Sequence, residues 1–83
     1  MTAIDIMSLW NEAIPQFPLH DAQAELWLAL HTDANIEKAL RTTLTKWNST
    51  KHTMSEEHLI RYASKCMNNL KSRLTSQTVL GLS

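Results

Sequence analysis

Glycine is all but missing from this chain, with Gly81 alone near its end. Hairpins need turn glycines, and loops that cradle dinucleotides or phosphates need several. β-rich folds and GxGxxG or phosphate-loop chemistry therefore have no material here. Cysteine is as scarce. Cys66 has no second cysteine to pair with and no Cys or His at ligand spacing, which argues against a disulfide framework or a structural zinc site. No apolar run is longer than Leu26–Leu30, far short of the ~20 residues of a membrane-spanning helix. The start, Met1-Thr2-Ala3-Ile4-Asp5, lacks the basic and apolar stretches of a signal peptide, so the expected location is the reducing cytoplasm.

Basic residues are missing from the whole first part of the sequence. Residues 1–37 carry Asp5, Glu12, Asp21, Glu25, Asp33 and Glu37 without a single Lys or Arg, a formal charge of −6. Residues 38–83 carry Lys38, Arg41, Lys46, Lys51, Arg61, Lys65, Lys71 and Arg73 against Glu56 and Glu57, a formal charge of +6. The net charge of zero thus hides two halves of opposite sign. Such asymmetry points to a surface for nucleic acid or an acidic partner, to head-to-tail association between copies, or to halves that neutralise each other on folding.

What is present is helical pattern. At 83 residues, with 43% hydrophobic and 19% charged residues, the composition is that of a small globular domain. A first helix is predicted over Ala3–Ile14, capped by Thr2 with Asp5 three residues on. Ala3, Ile6, Met7, Trp10, Ala13 and Ile14 form its inner face, and Pro15 stops it. Pro15–Leu19 reads as a turn whose Phe17 and Leu19 fold back onto the core. A second helix starts near Asp21. Its run Glu25–Leu30 is apolar on nearly all sides, which predicts a central position. A third, about Ala34–Ser49, is capped by Asp33 and turns Ile36, Leu40, Leu44 and Trp47 inward. The fourth, Ser55–Leu74, follows a capping box at Thr53–Glu56, with Ser55 as the alternative cap, and carries Leu59, Ala63, Cys66, Met67, Leu70 and Leu74 on its apolar stripe. The fold class is all-α: a compact bundle of about four helices in one domain over residues 1–74. Residues 75–83 form a tail whose Val79, Leu80 and Leu82 are free to dock on the domain or a partner.

Each candidate for chemistry has a plainer structural role. Cys66 sits on an apolar stripe, where an inert thiol is the commoner outcome. His20, His31, His52 and His58 show no HxxxH or HExxH spacing. His58, with two carboxylates before it and Tyr62 one turn on, reads as a solvated helix start rather than a general base. No catalytic residue, metal or cofactor is assigned. Trp10, Trp27 and Trp47 read as core, although Trp47, next to Lys46, is the one ring placed to stack on a base.

The outer faces of helices three and four are the candidate surface: Lys38, Arg41, Thr42, Thr45 and Lys46 on one, and Arg61, Lys65, Asn68 and Lys71 on the other. Ammonium, guanidinium, hydroxyl and amide groups in that mix suit a phosphate backbone.

The segment Ile6–Pro18, Ile-Met-Ser-Leu-Trp-Asn-Glu-Ala-Ile-Pro-Gln-Phe-Pro, resembles phage and prophage replication-initiation or helicase-loader accessory proteins, in which an apolar helix ends in a Pro-x-x-Pro turn. The resemblance implies a mobile-element accessory protein that touches DNA or a replication partner. Beyond Leu19, His20–Glu25 replaces the basic residues usual in that pattern. The sequence thus favours a non-enzymatic module binding nucleic acid, or a complex that processes it, through helices three and four. The alternative is a small protein-binding adaptor or inhibitor, for example of a host complex, acting through the acidic half or the apolar tail.

Overall fold

Four helices, α1 (Ala3–Ala13), α2 (Asp21–Leu30), α3 (Asp33–Ser49) and α4 (Glu56–Leu82), make up an all-α single domain in a computed structural model that describes residues 1–82 and the side chains of residues 1–72. Helix α1 begins where the sequence predicts. The Thr2 hydroxyl accepts from the Asp5 N–H while the Asp5 carboxylate accepts from the Thr2 N–H, a reciprocal capping box. These bonds hold the Asp5 carboxyl below the usual carboxylate range, the Thr2 backbone contributing most. After Pro15 the chain is held by two side chains of the helix just ended. The Trp10 indole N–H donates to the Phe17 carbonyl at 2.8 Å, and the Asn11 carbonyl accepts from the Leu19 N–H at 2.7 Å.

The core gathers Ile6, Trp10 and Ile14 from α1, Leu19, Ala24 and Trp27 from α2 and its approach, Ile36, Ala39, Leu40 and Trp47 from α3, and Leu59, Ala63 and Met67 from α4. Helices α3 and α4 pack most extensively, and α1 packs on α2. Trp10 and Trp27 meet at 6.0 Å with a 48° tilt, and Phe17 sets its edge on Trp47 at 6.1 Å. The three tryptophans are each only 1% exposed. Base stacking by Trp47 is thereby ruled out, because Phe17 and the 50–55 turn cover its ring.

Four other expectations change. Helix α2 is peripheral rather than central: Ala24 and Trp27 face inward while Leu26 and Leu30 stay 51% and 49% exposed. Ten residues resting on one side of a small bundle offer the core only one stripe. The cap of α3 is Thr32, whose hydroxyl accepts from the Asn35 N–H, and Asp33 already lies inside the helix. The Thr53 capping box does not form, because the Thr53 hydroxyl donates to the Thr50 carbonyl. Ser55 accepts from the His58 N–H instead. Helix α4 continues past Leu74 to Leu82, while the docking expected of Val79, Leu80 and Leu82 falls on side chains outside the described residues, as does the packing of Leu74. Among the described residues no helix is long and apolar enough to cross a membrane.

Candidate nucleic-acid interface

Residues four apart on a helix lie one above the other, so Lys38, Thr42 and Lys46 form a single line along α3. Across from them, α4 supplies Cys66, Asn69 and Leu70. Together with Lys38 and Thr42 they line a shallow hollow of about 190 Å³. One turn earlier on α4, Ser55, Glu57, His58, Arg61, Tyr62 and Lys65 line an open cleft of about 340 Å³. Tyr62 and Cys66 are one helical turn apart, so the two depressions follow each other along α4, the smaller between α3 and α4 and the larger lined, among the described residues, by α4 and Ser55 just before it. Lys46 continues the α3 line one turn past Thr42 and lines neither depression.

Charge is distributed unevenly along this seam. Lys38, Lys46 and Lys65 are exposed and enter no ion pair among the described residues. Among the described residues the 190 Å³ hollow has no carboxylate in its lining. Glu57, in the larger cleft, is held by Arg61 at 2.6 Å. Among the described residues, ion pairs join the Met1 N-terminus to Asp33, Arg41 to Glu37 and Arg61 to Glu57, and none of these three joins a carboxylate of α1 or α2 to a cation of α3 or α4. In these contacts the two halves of opposite charge are not spent against each other.

The other sequence-nominated residues divide. Arg41 lies off the lysine line, bound to Glu37 one turn before it. The Thr42 and Thr45 hydroxyls donate to the Lys38 and Arg41 carbonyls at 3.0 Å each, so their protons are committed inside α3 and their oxygens are left as acceptors. Arg61 and Asn68 follow the outer crest of α4. Lys71 turns to the opposite side, where its ammonium donates to the Leu30 carbonyl at 3.2 Å and complements the C-terminal end of α2. The structure thus brings Lys38 and Thr42 to the α3–α4 hollow and Arg61 and Lys65 to the neighbouring cleft of α4, sets Lys46 one turn further along the α3 line, and leaves Arg41, Thr45, Asn68 and Lys71 outside both.

Sequence reasoning passed over Tyr62, Asn69 and Leu70 as lining residues. The available signal was their place at the border of the apolar stripe of α4, where a residue lines the groove beside a neighbouring helix. Cys66 lies in the same border, half-buried. Burial pushes its thiol pKa up, and the Tyr62 hydroxyl and Lys65 charge offset this only in part, which keeps the thiol protonated at neutral pH. Among the described residues no group of three or more His, Cys, Asp and Glu side chains comes together to hold a metal ion. No family model, curated protein or solved structure matches this chain.

Proposed function

We propose that this domain is a non-enzymatic binding module that contacts nucleic acid, or a nucleic-acid-bound complex, through the α3–α4 seam. The observation that carries this reading is the placement of Lys38 and Lys65 at two consecutive depressions along α4, with Lys46 on the Lys38 line of α3, all three without an ion pair among the described residues. Ammonium groups free of internal partners gain most from phosphate, because binding releases condensed counterions and costs no existing ion pair. The resemblance of Ile6–Pro18 to phage replication accessory proteins supports a mobile-element setting for the same activity.

Anisotropy titration of labelled single-stranded and duplex DNA and RNA, at several salt concentrations, tests the proposal. Three phosphate contacts predict a slope of log affinity against log salt of about −2.7 on duplex DNA and about −2 on a single strand. The double variant Lys38→Glu with Lys65→Glu is expected to weaken binding about tenfold or more, equivalent to about 1.4 kcal/mol, while leaving the thermal unfolding curve in place. Absence of micromolar binding at low salt, or binding that this variant does not change, overturns the assignment.

A further inference from the structure

Of the aromatic rings, Trp10, Trp27 and Trp47 are closed in the core, and Phe17 and His52 rest on Trp47. Tyr62 is placed differently. It is half-buried, packed against the core, and it also lines the 340 Å³ cleft of α4. His58 stands one turn before it and Lys65 one turn after, both in the same lining. Spaced i, i+4, i+7 and i+11, His58, Tyr62, Lys65 and Asn69 share one stripe of the helix, about 16 Å long at the helical rise. Asn69 lines the next hollow together with Lys38 and Thr42. The carboxylate of the cleft, Glu57, is held by Arg61 at 2.6 Å, whereas Lys65 and Lys38 enter no ion pair among the described residues. Two rings thus alternate with a cation and an amide along a single helix face.

We infer that the nucleic acid taken up along this face is single-stranded, with one base stacked on the Tyr62 ring and the adjoining phosphates on Lys65 and Lys38. The inference rests on the nucleic-acid reading proposed above and names its substrate class. In a duplex each base is stacked between its neighbours and shows only its edges, so a ring set in a cleft does not reach its face; an unpaired base offers that face freely. The Tyr62 ring is suited to the task because the core already holds it in place, and a side chain immobilised before binding loses little freedom when a base covers it. At about 340 Å³ the cleft has the volume of a small-molecule pocket, roughly 300 Å³ or more, which gives a base room beside the ring. In the hollow that follows, the Lys38 ammonium and the Asn69 amide are donors for the next phosphates.

The test uses the full chain and labelled ligands of one length, followed by anisotropy at low salt: a mixed-sequence single strand as DNA and as RNA, an abasic DNA strand, and the DNA duplex. The abasic strand carries the same phosphates without bases. The better of the two base-bearing strands is expected to bind about tenfold or more tighter than the abasic strand. Tyr62→Phe should keep that advantage, and Tyr62→Leu should remove most of it without weakening the abasic strand. Should Tyr62→Leu fold poorly, the wild-type chain gives a second readout, because Tyr62 is its only tyrosine. By NMR, the Tyr62 ring protons should move upfield with the base-bearing strand and stay in place with the abasic one. Equal binding of base-bearing and abasic strands, tighter binding of the duplex than of either single strand, or Tyr62 ring signals that do not move overturns the inference and leaves phosphate binding by the lysines standing. Absence of micromolar binding to every one of these ligands overturns both.

Discussion

The imidazole of His52 lies flat on the indole of Trp47, with ring centroids 4.7 Å apart and planes within 5° of parallel. The stack is reached through a helix end of unusual sequence. The His52 N–H donates to the Trp47 carbonyl and the Lys51 N–H to the Asn48 carbonyl, the bond pair of a left-handed helix terminus, yet the position that normally carries glycine is Lys51, at φ 56°. His52 follows at φ 64°, also left-handed. Two side chains in a region that sterics disfavour are thus held in place by the helix-terminal bonds, the ring stack and the His52–Asn48 side-chain contact at 3.1 Å.

That arrangement separates two neighbouring substitutions. Lys51→Gly removes a side chain from a left-handed position without touching the stack and is expected to raise stability by about 0.5–1 kcal/mol. His52→Gly relaxes the backbone too but loses the stack, and His52→Ala loses the stack with no relaxation, at a cost of about 1 kcal/mol. Urea unfolding midpoints should rank Lys51→Gly above wild type and His52→Ala below it. The reverse order would mean that the turn is not strained.

Two buried indoles differ in their hydrogen bonding. The Trp27 N–H donates to the Ser64 hydroxyl at 3.1 Å, whereas the Trp47 N–H is buried without a partner among the described residues. Phenylalanine at either position leaves a similar loss of volume, but at Trp47 it also removes an unpaired buried donor. Trp47→Phe should therefore cost about 1–2 kcal/mol less than Trp27→Phe in denaturant titrations. Equal costs would show that the Trp47 donor is satisfied in solution.

At the start of α1, Thr2→Ala should cost about 1 kcal/mol through loss of the cap. The Asp5 side has a sign in pH. Its folded pKa lies below the unfolded one, so the stability it contributes is complete above the ordinary carboxylate range and disappears as pH falls through the folded value. Asp5→Asn should accordingly lower the melting temperature at neutral pH and converge with wild type in acid. A gap that persists unchanged in acid would refute the charge-based part of the box.

At the other end of α2, burial lowers the His31 pKa and the Lys71 charge lowers it further. The neutral imidazole is the form the fold favours, so its contribution is full above the unfolded pKa and is lost as pH falls through the folded one. By NMR, the His31 ring should titrate at a lower pH than a histidine in a short peptide, and Lys71→Met should move it part of the way back. No movement would show that the ammonium does not act on the ring.

The spacing of apolar side chains already determined that α1, α3 and α4 exist and which stripes they bury, and Thr2 with Asp5 and Pro15 marked the ends of α1. The segregation of charge between the halves was equally plain. These properties are local: a period of 3.6 residues or a cap is settled within a few neighbouring residues. Tertiary packing decided the rest. Helical period places Lys38, Thr42 and Lys46 in one line, but only the approach of α4 sets that line opposite Cys66 and Asn69 while Lys71 meets the end of α2. The run Glu25–Leu30 reads as a buried helix by composition, yet the side on which α2 meets the bundle leaves Leu26 and Leu30 in solvent. The candidate seam is a product of helix-to-helix approach, which depends on contacts far apart in the chain and leaves no periodic trace in the sequence.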